Sequence, residues 1–79
     1  MTISVKFFAA LRDEAGKTQE ELPTTAETPE DVFEELALKY GFKLSQQQVR
    51  YAVNGAYVDP RHTLSEGDEL VIIPPIAGG

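Results

Sequence analysis

The stretch from Thr28 to Gly41, TPEDVFEELALKYG, restricts the fold more than any other, because it contains both ends and the buried face of a single helix. Thr28 offers a side-chain oxygen at the N-cap, Pro29 suits the first helical position, and Asp31 stands where a capping box wants an acid. Glu30 and Asp31 sit at the positive end of the helix dipole and Lys39 near the negative end. Gly41 is suited to a left-handed stop. Val32, Phe33, Leu36, Ala37 and Tyr40 recur every three or four residues and draw one apolar stripe along about three turns. A single stripe is stable only when laid on another apolar surface, so the flanking segments must supply one.

They read as strands. In ISVKFF, Ile3, Val5 and Phe7 alternate with Ser4 and Lys6, the period of a half-buried strand. Phe8 breaks the alternation by falling on the polar side, where it is either capped by the next segment or exposed for contact. AALRDEAG predicts a short helical turn closed by Gly16, with Ala10, Leu11 and Ala15 as its apolar members. KTQEEL reads as a polar second strand near a sheet edge, paired back on the first, although its residue types favour helix at least as much. FKLSQQQ has no steady period and predicts a connection with room for a short helical piece. In VRYAVNGAYV, Asn54-Gly55 between β-prone flanks marks a tight hairpin turn with positive φ at both centres. Glu66-Gly67-Asp68 is a further turn, and Glu69 to Ile73 a last strand whose unbroken apolar end suits a central position. The expected architecture is α+β: one main helix packed across a mixed sheet of four to five strands.

With 79 residues the chain is one domain, and a domain of that size buries only about 60% of its unfolded surface. Little room is left for an internal active site. Cysteine is absent, which removes disulfides, thiolate nucleophiles and cysteine-held metals. Seven basic and thirteen acidic side chains give a net charge of -6, and no Lys/Arg stripe offsets it locally, so nucleic acid is not an expected partner. No run approaches the ~20 apolar residues of a membrane span, and the opening turns acidic before a signal-peptide core can form. A cytoplasmic protein that does not engage membranes is expected.

His62 is the sole histidine and has no spaced carboxylate pair beside it, so no metal site is predicted. The acidic pairs Glu20-Glu21, Glu30-Asp31 and Glu34-Glu35 place adjacent residues that do not face a common substrate. Ser4, Ser45 and Ser65 lack a nucleophile-elbow context, and no glycine-rich loop precedes a helix. The chain is expected to bind no cofactor itself.

The ending, PPIAGG, behaves differently. Pro74 has no N–H for a ladder and biases Ile73 toward extended backbone, as Pro75 does for Pro74. Residues 1–73 therefore read as the folded domain and 74–79 as an extended tail, reaching roughly 15 to 20 Å from the sheet. Ile76 and Ala77 add modest apolar grip. Gly78 and Gly79 let a neighbouring protein close tightly around the backbone. The tip's functional group is the carboxylate of Gly79, a poor acyl donor until ATP converts it to an acyl-adenylate open to a sulfur or amine nucleophile. That activation must come from another protein.

The tail PPIAGG, the preceding LSEGDELVIIPP, the VNG of residues 53 to 55 and the opening VKFFAALRDEAG together resemble the small, sulfur-carrying subunit of molybdopterin synthase. That is a family of ubiquitin-like β-grasp proteins, and the resemblance runs over nearly the whole chain. VNG and EGDE also fit thiamine sulfur carriers. The resemblance implies a β-grasp fold. It further implies that Gly79 is adenylated by a partner similar to ubiquitin-activating enzymes, then converted to a thiocarboxylate with sulfur from a donor system. The tail, Pro74, Pro75, Ile76, Ala77, Gly78 and Gly79, would enter a pocket in the large catalytic subunit and deliver sulfur to cyclic pyranopterin monophosphate. Two small and two large subunits would form the assembly. On the same ground Phe8, Tyr57 and Ile73 would belong to the apolar docking surface, although periodicity alone gives Ile73 a core position. Carriers for thiamine synthesis or transfer-RNA thiolation, and protein modifiers, use the same activated carbonyl and remain the alternatives.

Overall fold

The computed structural model describes residues 1–75. Its elements are β1 (Thr2–Phe7), α1 (Ala9–Ala15), β2 (Gln19–Pro23), α2 (Pro29–Tyr40), a 3-10 turn at Gln46–Gln48, β3 (Arg50–Val53), β4 (Ala56–Val58) and β5 (Glu69–Ile73). The strands form one sheet in the order β2-β1-β5-β3-β4. β1 and β5 run parallel, and the other neighbours are antiparallel. A parallel pair needs a long crossover, and the chain between β1 and β5 supplies it, carrying α2 across one face.

α2 starts and stops as its sequence dictates. The Thr28 hydroxyl accepts from the Asp31 amide at 3.3 Å, and Gly41 turns left-handed at φ 71°, with its N–H donating to the Ala37 carbonyl at 2.8 Å. Val32, Phe33 and Leu36 are buried against Ile3, Val5 and Phe7 of β1, Leu70 and Ile72 of β5 and Tyr51 of β3. β5 lies in the middle of the sheet and alternates, with Leu70 and Ile72 buried and Val71 and Ile73 half-buried on the other face.

Three departures from the sequence reading have local causes. α1 is only seven residues long, so one narrow face reaches the core; Leu11 and Ala15, one turn apart, take it, and Ala10 is exposed. β1 begins at Thr2 and ends at Phe7, leaving Phe8 outside the strand as the residue before α1. β2 runs to Pro23, whose missing N–H costs nothing at the sheet edge. The segment after α2 is anchored by Phe42 and Leu44, which pack on the core. Ser45 and Gln48 cap its 3-10 turn reciprocally.

At one end of α2, Phe7, Phe33, Tyr40 and Phe42 pack with ring centroids 5.7–6.2 Å apart. Tyr40 closes this cluster toward solvent, and its hydroxyl donates to Glu20 of β2. Lys39 reaches the same carboxylate at 2.6 Å and Lys17 at 3.6 Å, and both ammonium groups also lie over the Tyr40 ring. The Glu20 side chain is 9% exposed, so an edge-strand carboxylate serves as a clasp between β2 and α2. Burial by itself pushes the Glu20 carboxyl up, but the hydrogen bonds from Lys39 and Tyr40 and the lysine charges outweigh it. The result lies below the ordinary carboxylate range.

Candidate functional site

The sheet has a covered face and a bare one. Strand alternation sends Ile3, Val5, Phe7, Leu70, Ile72, Tyr51 and Val53 toward α2, so their neighbours face outward. Register then aligns Lys6, Val71, Ala52 and Tyr57 in one row across β1, β5, β3 and β4. In the next row Ile73 stands beside Arg50, and Phe8, following Phe7 in extended conformation (φ -130°, ψ 153°), continues the outward alternation. Phe8 is 48% and Tyr57 76% exposed, while Ala52, Val71 and Ile73 are half-buried. The fold thus gathers Phe8, Tyr57 and Ile73 on one face, with Val71 and Ala52 between them. For Ile73 this corrects the core position given by periodicity: Ile72 takes the core and Ile73 the opposite side.

Lys6 and Glu69 bridge this face at 3.4 Å, so its charged groups flank an apolar strip. Phe8 is kept outside by its successor: Ala9 has φ 51°, a left-handed turn that is costly for a residue with a Cβ. At the end of the sheet where β5 leaves, a groove of about 850 Å³ opens between Gln48, Arg50, Tyr57, Pro60, Ile73 and Pro74, among others. Pro74 and Pro75 carry the chain out of the central strand along this groove. Ile76, Ala77, Gly78 and Gly79, expected to be the working end of the tail, lie outside the described residues.

The start of β5 is held by a further set of bonds. The Asn54 side chain donates to Asp68 Oδ1 at 2.9 Å and accepts from the Glu69 amide at 3.0 Å, and the Asn54 amide donates to the Glu69 carbonyl at 2.9 Å. Asp68 Oδ2 accepts from the Ser65 amide at 2.8 Å, and the Gly67 amide donates to the Thr2 carbonyl at 2.9 Å. The VNG and EGDE motifs, far apart in sequence, therefore meet in one junction that fixes the register of β5 against β1 and β3. The hairpin role of Asn54-Gly55 was legible from sequence; its tie to Asp68 was not, although an acid in the EGDE turn was a signal for a polar partner.

The other candidate residues have structural occupations. His62 is exposed in a loop, its amide donating to the Asp59 carbonyl at 2.9 Å. Glu30 pairs with Arg61 at 3.6 Å, and Glu20 is the clasp described above. Among the described residues no group of three or more His, Cys, Asp or Glu is placed to hold a metal ion. No helix there is long and apolar enough to cross a membrane.

A five-stranded mixed sheet with one main helix across it, and a central last strand running out into a proline-led tail, is the ubiquitin-like β-grasp architecture. Solved structures share it over nearly the whole chain. A putative molybdopterin converting factor subunit 1 from Pyrococcus furiosus superposes with TM-score 0.76 at 33% identity, over 96% of this chain and 99% of that one. The small archaeal modifier protein 1 of Methanosarcina acetivorans gives TM-score 0.78 at 27% identity, over 99% and 96%. The chain belongs to the ThiS family, whose model matches residues 5–79. Its relatives include the molybdopterin synthase sulfur carrier subunit of Drosophila yakuba, 37% identical over 100% of this chain and 92% of that protein. That of Escherichia coli is 31% identical over 98% and 99%. The resemblance read from the sequence holds at the level of the family.

Proposed function

We propose that this chain is a sulfur-carrier subunit of molybdopterin synthase, which brings its own chain end as a reagent to an active site on a larger partner. The observation that carries the reading is the exit of β5. A strand gripped on both sides ends in Pro74-Pro75 beside an apolar face bearing Phe8, Tyr57 and Ile73, an arrangement suited to docking a domain while its tail reaches inward. Relatives carrying that name over the full chain support it.

The Gly79 carboxylate attacks the α-phosphate of ATP on an activating partner and displaces pyrophosphate. A sulfur nucleophile from the donor system then displaces AMP and leaves a thiocarboxylate. Docked on the large subunit through Phe8, Tyr57 and Ile73, with Pro74 to Gly79 in the partner's pocket, that sulfur bonds to a side-chain carbon of cyclic pyranopterin monophosphate as the C–O bond there breaks and the oxygen leaves. Water afterwards releases the acyl-linked carrier as a carboxylate. Two deliveries complete the dithiolene, which suits an assembly of two small and two large subunits. Positioning and preorganised charge in the partner's pocket supply the catalysis. ATP belongs to the activating step.

The deciding experiment incubates the protein with ATP, the activating enzyme and a sulfur donor, followed by intact mass. The expected product is heavier by the difference between sulfur and oxygen and is absent when Gly78-Gly79 is deleted. An unchanged mass in every condition refutes the proposal. The likeness to the Methanosarcina modifier favours a second reading, conjugation to protein amines. It predicts adducts to target lysines that survive a denaturing gel.

A further inference from the structure

The junction at the start of β5 contains a reactive pair that the carrier chemistry does not use. Asn54 is the chain's one asparagine and is followed by glycine; both residues are exposed at the hairpin tip. Among the described residues the Gly55 amide donates no hydrogen bond, and open space surrounds the position where a Cβ would stand. A backbone nitrogen next to an asparagine amide, unshielded by a side chain, is a nucleophile within reach of that amide's carbon. What restrains it is the pair of side-chain bonds from Asn54 to Asp68 and Glu69.

We propose that Asn54 is a site of spontaneous deamidation whose product unlocks β5. The Gly55 nitrogen, losing its proton to hydroxide, bonds to Asn54 Cγ; the Cγ–Nδ2 bond breaks and Nδ2 leaves as ammonia. Water opens the cyclic imide to an aspartyl or isoaspartyl residue, so the net change is one water taken up and one ammonia released. Cyclisation requires the side chain to leave Asp68, so its rate follows the opening of the junction. The product cannot re-form it. Where the amide donated to Asp68 Oδ1 across 2.9 Å, a second carboxylate oxygen now stands with no proton between them. The Asp68 carboxylate already stands against this side chain, so the added charge is unfavourable. The lost tie is the side-chain clamp that braces the start of β5 against the β3–β4 hairpin, beside the backbone ladder.

The test uses the full chain in mildly alkaline buffer. Intact mass should record a single exchange of amide for acid that maps to Asn54, faster in Asp68→Ala, where the restraint is gone. Asn54→Asp should raise the unfolding constant about tenfold and speed hydrogen exchange at the Glu69 amide. The reciprocal pair Asn54→Asp with Asp68→Asn restores a donor opposite an acceptor and should recover most of that loss. Asn54→Asp as stable as the parent, a paired variant no better than the single one, or no acceleration in Asp68→Ala would each overturn the proposal.

Discussion

Replacing Glu20 by alanine should cost the fold about 1.5 to 2 kcal/mol at neutral pH, from the loss of one charge-assisted hydrogen bond at a half-buried hydroxyl. The structure supplies the terms. Glu20 is nearly buried and receives Tyr40, Lys39 and Lys17. The lysines are exposed and rehydrate when it is gone, so they add little. Tyr40 sits at the edge of the aromatic cluster and loses its anchor to β2. For a domain of this size that corresponds to a midpoint lowered by roughly 6 to 16 °C.

The pH dependence has a definite sign. Because the folded carboxyl titrates below its ordinary value, its contribution is complete above the unfolded pKa of about 4.3. It fades as pH falls through the lower folded value. Urea unfolding followed by circular dichroism, for the parent, Glu20→Ala, Tyr40→Phe and the double variant, separates the pair term from the rest. A Glu20→Ala loss under ~0.5 kcal/mol at pH 7 would refute the clasp, since it would match an ordinary surface change. A loss unchanged between neutral and strongly acidic pH would do the same.

Tyr51 is 1% exposed and its hydroxyl has no hydrogen-bond partner among the described residues; burial, then the charges of Glu30 and Glu34, push its pKa up and keep it protonated. Tyr51→Phe should leave stability unchanged or raise it by up to ~1 kcal/mol in urea unfolding, and a clear loss would mean the hydroxyl is bonded. Ala9→Gly should be neutral to about 1 kcal/mol stabilising, because the left-handed φ outweighs glycine's extra freedom in the unfolded chain. Destabilisation in the same assay would contradict that. Tyr57→Ala should unfold like the parent yet bind the large synthase subunit about thirtyfold more weakly by calorimetry, as removal of a central aromatic anchor does. Equal affinity would remove Tyr57 from the docking surface.

The legible parts of the molecule were those in which neighbours in sequence determine the outcome. The caps of α2, its stripe from Val32 to Tyr40 and the alternation of Ile3, Val5 and Phe7 all depend on spacing, and the fold kept them. The reading failed where distant residues compete for one place. Periodicity cannot tell which of Ile72 and Ile73 faces the helix, since an apolar run fits either register; pairing with β1 and β3 decides it. Glu20 read only as part of a polar edge strand, because Lys39 and Tyr40 lie at the far end of α2. Asn54 looked fully explained by its turn because Asp68 meets it only once β5 is in place. The apolar strip was named from family likeness, and no local pattern would have joined Phe8 to Tyr57.

The placement of β5 between β1 and β3 also has a mechanical meaning. A partner that seizes the tail pulls along the strand axis, so the ladders on both sides are loaded together in shear and no edge peels away one bond at a time. Tension applied at Pro75 is therefore shared across the middle of the sheet, and the tail can be drawn tight without unravelling the domain behind it.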